Sequence, residues 1–115
     1  MKKIVYSQDY KDKITRMRRH LDTQFGTNVR KKIFAKINNR VHSIKNNEYL
    51  GISVQEMFGI ETEYRYIYAA RNYIFYRISD SAIYIVNIYD EREDFMWKLF
   101  GIKTTSQETE KYWNE

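Results

Sequence analysis

The chain of 115 residues has no cysteine, which excludes disulfide staples, thiolate zinc sites and thiol nucleophiles together. No apolar run is long enough to span a membrane, and the opening Met1-Lys2-Lys3-Ile4-Val5-Tyr6-Ser7 meets Asp9 before a signal-peptide core develops. A cytoplasmic protein with no membrane partner is the expectation. The two histidines, His20 and His42, have no spacing that pairs them as metal ligands, and neither a glycine-rich phosphate loop nor a Ser/His/Asp arrangement is present. The carboxylates Asp90, Glu91, Glu93 and Asp94 do cluster, but at a position that suits a helix start better than a magnesium site. The sequence therefore implies no metal and no cofactor. Repeats and low-complexity segments are absent as well. What remains is the length of one domain, enough to bury a core unaided.

Positive charge is plentiful and unevenly placed. Residues 1–45 hold thirteen Lys and Arg against three Asp, a balance of +10, whereas residues 46–115 hold seven against twelve Asp and Glu, a balance of −5. A front half of this kind suits a polyanion, because each neutralised phosphate releases counterions and the field steers encounter. It is equally what the solvated faces of two helices carry.

Along the chain, Ile4-Val5-Tyr6 reads as a first strand that runs into a helix capped by Ser7 or Asp9. Tyr10, Ile14, Met17, Leu21 and Phe25 recur at steps of three and four, one stripe of that helix, and Gly26 ends it. Thr27 is placed to cap a second helix with the stripe Val29, Ile33, Phe34, Ile37, Val41 and Ile44, stopped at Asn46-Asn47. This is a helical hairpin. Its outer faces carry Lys11, Arg18, Arg19, Lys31, Lys32 and Lys36, the candidate contacts for nucleic-acid phosphate. Residues 48–63 read as a connecting loop pinned by Leu50, Ile52, Met57 and Phe58.

Three β-branched and aromatic runs follow: Tyr64 to Ala69, Tyr73 to Ile78 and Ala82 to Tyr89. They read as a three-strand antiparallel meander holding seven of the eleven tyrosines. Tyr73, Phe75 and Arg77 share one face of the middle strand, and Ile74, Tyr76 and Ile78 share the other, which looks like core. Residues 90–102 read as a terminal helix, and 103–115 as a polar, frayed tail on which Tyr112 and Trp113 stand ready to dock. The fold class is α+β: an N-terminal strand, an αα-hairpin, the meander and a C-terminal helix, with one sheet face left for solvent or a ligand.

Taken together, the Phe25-Gly26 hairpin joint, the strand Arg71-Asn72-Tyr73-Ile74-Phe75-Tyr76-Arg77-Ile78, the strand Ala82-Ile83-Tyr84-Ile85-Val86 and the closing Arg92-Glu93-Asp94 resemble the RelE/ParE superfamily of bacterial toxin–antitoxin modules. The resemblance covers roughly residues 3–102, read as a single toxin domain spanning 1–102. It implies a toxin neutralised by a small cognate antitoxin. Within the superfamily, RelE-like toxins cut mRNA in the ribosome without a metal, and ParE-like toxins poison DNA gyrase without hydrolysis.

The first expectation from the resemblance is ribosome-dependent mRNA cleavage by an endoribonuclease that inhibits translation, with ParE-like gyrase inhibition as the alternative. Metal-free cleavage needs a base for the ribose 2′-hydroxyl, cations for the phosphate and an acid for the leaving oxygen. The resemblance places Arg65 and Arg92 where RelE-like toxins carry basic phosphate clamps. Arg65, Arg77 and Arg92 with Tyr73 and Tyr89 would form the reactive face. Three departures stand out: Ile67 occupies the place of a second basic residue, the arginine expected near the start of the next strand is replaced by Tyr73 or displaced to Arg71, and Tyr89-Asp90 occupies the place of a histidine. Tyrosine serves as a base near neutrality only where cations depress its pKa, and Arg92 is the cation expected to do so for Tyr89.

Overall fold

The computed structural model describes residues 2–101, apart from the Trp97 side chain. The expected tail at 103–115, with Tyr112 and Trp113, lies outside the described residues. Strand β1 (Lys3–Tyr6) leads directly into α1 (Gln8–Phe25). Ser7 is the cap, since its Oγ accepts from the Tyr10 N–H at 3.0 Å. The same hydroxyl donates to the Val86 carbonyl at 2.6 Å, which ties the helix start to the sheet. Asp9 lies within the first turn, where its charge complements the helix dipole's positive end.

Gly26 joins α1 to α2 (Thr27–Asn46) with φ 87 and ψ 168, a region that only glycine enters at little cost. Its N–H reaches the Leu21 and Asp22 carbonyls, and its own carbonyl accepts from the Arg30 N–H. Gly26 is thus the cap of α2. Thr27, expected in that role, is the first helical residue, and no side chain caps this end.

The expected loop at 48–63 is partly structured. It holds a two-residue strand, β2 (Ile52–Ser53), and the short α3 (Val54–Phe58). Ser53 caps α3 through the Glu56 N–H, and Gly59 closes it in the left-handed conformation. Of the expected anchors, Leu50 packs on the core, whereas Ile52, Met57 and Phe58 are exposed. Val54, fully buried, is what pins the segment.

The meander consists of β3 (Arg65–Ala69), β4 (Asn72–Ile78) and β5 (Ala82–Asp90). Ala70 and Arg71 both have positive φ, as a two-residue hairpin turn matched to the strand twist requires. The full sheet has the order β1-β5-β4-β3-β2, with β1 parallel to β5 and the other pairs antiparallel. Tyr76 pairs with Ile85 while Phe75 pairs with Asn87, so Val86 is an extra residue that bulges β5.

Helices α1 and α2 cover one sheet face. Ile37, Val41 and Ile44 meet Ile67, Ile74, Tyr76, Ile83, Ile85 and Ile88 there. Each fully buried aliphatic side chain contributes about 1.5–3 kcal/mol relative to exposure. The second face, expected to be open, is covered. Phe95, Leu99 and Phe100 of α4 (Phe95–Phe100) pack on Val54, Tyr66, Phe75 and Tyr89 and form a second core. The acidic residues expected within the start of that helix precede it: Asp90 ends β5, and no acidic residue lies in the first turn of α4.

Candidate functional site

Alternation along β4 sends Tyr73, Phe75 and Arg77 to the face away from the helical hairpin, where Tyr66 and Tyr89 join them from β3 and β5. The Phe75 ring lies 5.1 Å from Phe95, 5.7 Å from Tyr66 and 5.9 Å from Tyr89, and Tyr73 lies 5.2 Å from Phe95. Tilted and edge-on packing of this kind fills the space between α4 and the sheet with rings. The face is an aromatic core with Arg77 at one end.

The five residues expected to react are divided between the two sides of the sheet. Arg65 pairs in register with Tyr76 on the hairpin side, and its guanidinium donates to the Gly51 carbonyl at 2.8 and 3.1 Å and to the Tyr49 carbonyl at 3.3 Å. Arg77, on the other side, stacks 4.2 Å above the Tyr84 ring and approaches Glu63 at 4.0 Å. Tyr73 and Tyr89 belong to the aromatic core. Arg92 stands in solvent beyond β5, its Nε 2.9 Å from the Asp90 carboxylate. Ile67, where a second basic residue was expected, is buried in the hairpin-side core, so a cation there would be stranded in apolar surroundings.

The expectation for Tyr89 is reversed. Burial, followed by the charges of Glu93 and Asp9, raises its pKa above the ordinary tyrosine value, away from what a base at neutral pH needs. The nearest cation is Lys13, whose Nζ sits 3.7 Å over the ring and donates to the Ile88 carbonyl at 3.1 Å. Burial in turn lowers the pKa of Lys13. Arg92 instead serves Asp90, and its hydrogen bond holds that carboxyl below the usual carboxylate range. Glu93 would be raised by burial, but bonds from Lys98 and the Asp90 N–H outweigh this and lower it.

At the β3–β4 turn, Glu91 accepts from the Tyr68 hydroxyl at 2.5 Å and pairs with Arg71 at 3.1 Å. Among the described residues, no three His, Asp or Glu side chains gather as metal ligands would.

The six basic residues expected to meet phosphate are all exposed on the hairpin. Lys11 and Arg18 line a groove of about 290 Å³ between the helices, with Tyr6, Tyr10, Ile14 and Phe34 as its apolar part. Arg18 lies 5.4 Å over the Phe34 ring, and Tyr6 stacks on Tyr10 at 5.3 Å. Lys31, Lys32 and Lys36 face solvent along α2.

Two features depart from what alternation and periodicity assign. Tyr76, which alternation assigns only to core, donates to the Glu48 carbonyl at 2.8 Å and accepts from the Gly51 N–H at 2.9 Å, so with Arg65 it clamps the segment entering β2. The signal available was Gly51 itself, a position with no room for a side chain: a Cβ there would lie 2.7 Å from the Tyr66 carbonyl oxygen. Phe25, which periodicity assigns to the apolar stripe, is 62% exposed. Its place beside Gly26 was the clue, because the stripe there has reached the end of the helix.

A family model described as ParE toxin of type II toxin-antitoxin system, parDE, matches residues 4–95. Among solved structures, the chain is similar to one titled "Chromosomal ParDE TA system from P. aeruginosa", with 14% sequence identity and a TM-score of 0.64. That likeness covers 78% of this chain and 96% of the other, and it concerns the fold. No curated protein matches the sequence.

Proposed function

The chain belongs to the ParE toxin family of type II toxin–antitoxin systems, and from that membership we propose that it arrests growth by binding DNA gyrase, without cutting RNA. A type II toxin has a cognate antitoxin as its partner. The single observation that favours binding over cleavage is the division of the expected reactive set. Arg65 is on the hairpin side of the sheet with its guanidinium committed to backbone carbonyls, whereas Tyr73, Arg77 and Tyr89 are on the other. General acid–base catalysis requires donor, acceptor and phosphate clamp to converge within hydrogen-bond reach of one bond. The raised pKa of Tyr89 opposes its use as the base.

Translation-directed mRNA cleavage is the rival reading, and Arg92 is the residue that keeps it testable. Its exposed guanidinium is able to reach a phosphate, and its partner Asp90 is bound in solvent, where such a pair exchanges readily. Purified toxin is to be assayed for gyrase supercoiling and, in parallel, for ribosome-dependent cleavage by primer extension. Inhibited supercoiling with intact message is expected. Cleaved message with normal supercoiling overturns the proposal.

A further inference from the structure

Phe25 is a large apolar side chain displayed to solvent at the point where the two long helices meet. The joint beneath it is braced. The Gly26 N–H bonds the Leu21 and Asp22 carbonyls, and the Asp22 carboxylate pairs with Arg30 at 2.9 Å across the turn. Val29, one turn into α2, is 38% exposed as well. Behind this apolar tip stand Arg19, Lys31 and Lys32, all exposed, and no salt bridge engages any of the three among the described residues.

We propose that this tip docks on duplex DNA, with Phe25 entering between base steps as a wedge and Arg19, Lys31 and Lys32 holding the flanking phosphates. The proposal rests on the gyrase-binding reading for its place in toxin action, and it names the contact surface within that complex as nucleic acid.

Three observations support the assignment. The first is charge: residues 1–45 carry a balance of +10, concentrated on the helices, while the rest of the chain is acidic. A field of that sign and extent complements a polyanion and would hold the hairpin, in preference to the sheet, against it. The second is spacing. Arg19 lies six residues back along α1, about 9 Å at ~1.5 Å per residue, and Lys31 and Lys32 lie four and five residues past the start of α2, about 6–8 Å along it, so the charges lie behind the ring on either helix. That is the arrangement by which minor-groove proteins insert one apolar side chain while basic side chains grip the backbone. The third is number. Single strands are bound on several aromatic faces in series, whereas of the hairpin's three Phe and Tyr rings Tyr10 and Phe34 are buried and Phe25 alone is exposed. One free phenyl on a braced joint suits one base step of a stacked duplex.

The test uses the purified toxin without gyrase, a short fluorescently labelled duplex read by anisotropy, and a second duplex carrying 2-aminopurine to report unstacking. The parent is expected to bind, with affinity falling steeply as salt rises, and to increase 2-aminopurine fluorescence. Phe25→Ala should abolish that increase and weaken binding about 10-fold, a fold-change within the range for lost base stacking. The Lys31→Glu, Lys32→Glu double variant should weaken binding at least about 10-fold and lower the salt slope by ~2, one unit per phosphate contact. Circular dichroism and a urea melt on each variant separate lost contact from lost fold. Failure of the parent to bind duplex, preference for single-stranded RNA or anionic vesicles, or an unchanged 2-aminopurine signal with Phe25→Ala overturns the proposal. Gyrase inhibition without DNA binding sinks this inference alone, and DNA binding without gyrase inhibition sinks the function reading alone.

Discussion

Tyr76 shows how one side chain sets local geometry. Its ring is fully buried in the hairpin-side core, and its hydroxyl holds both Glu48 and Gly51 by their backbones. Arg65, which the family resemblance casts as a phosphate clamp, closes the same knot by donating to the Gly51 carbonyl. Tyr76→Phe leaves two backbone groups without their partner and is expected to cost about 1–3 kcal/mol. Gly51→Ala is expected to cost as much by overpacking, about 1–3 kcal/mol, because its methyl would press on the Tyr66 carbonyl oxygen, which belongs to the sheet. Urea midpoints check both, with unchanged slopes marking a change in stability alone. The two losses should not add, since both break one knot. At this scale residue type was legible and partner was not. The sequence displays Tyr89 and Arg92 three positions apart, yet the fold turns one inward and leaves the other in solvent beside Asp90.

At the scale of the element, periodicity carried furthest where segments are long. Steps of three and four placed Tyr10, Leu21, Ile37, Val41 and Ile44 on the buried stripe, and alternation placed Ile74 and Tyr76 opposite Phe75. It failed where a segment is too short to show a period, as in the two residues of β2 and the five of α3. It failed again for the second sheet face. Tyr73, Phe75 and Arg77 look like an amphipathic outer face, but Phe95 and Phe100 of α4 return over it and, with Val54, Tyr66 and Tyr89, enclose Phe75. The stripe of α1 also overran its cover at Phe25. The contrast between two stripe residues is measurable. Ile37→Ala removes a fully buried side chain and is expected to cost about 2–5 kcal/mol, whereas Phe25→Ala is expected to stay within about 0.5 kcal/mol of the parent. Equal losses in a urea titration would contradict the placement of the hairpin tip.

For the molecule as a whole, most of the positive charge of residues 1–45 lies on the helical hairpin, which covers one face of a sheet whose far side is an aromatic core. The tyrosines of that architecture give it a pH response. Burial raises the pKa of Tyr10, Tyr76 and Tyr89 above the ordinary tyrosine value. Above pH ~10 the unfolded chain releases these phenolic protons while the folded chain keeps them, so the folded state binds more protons and stability falls as pH rises. Urea midpoints measured between pH ~9 and ~11.5 should decline through this window. A flat profile would contradict the burial of these hydroxyls.

The separation of the expected reactive residues between two sheet faces is the central structural claim, and Arg92 is the residue through which it is tested most directly. The deciding measurement is gyrase supercoiling in the presence of purified parent toxin and of Arg92→Ala, with ribosome-dependent primer extension on the same preparations. A binding toxin predicts that both proteins inhibit supercoiling to within about 3-fold of each other, less than one lost charged hydrogen bond in a working site costs, and that message stays intact. Cleaved message that Arg92→Ala abolishes, with supercoiling untouched by either protein, would contradict it.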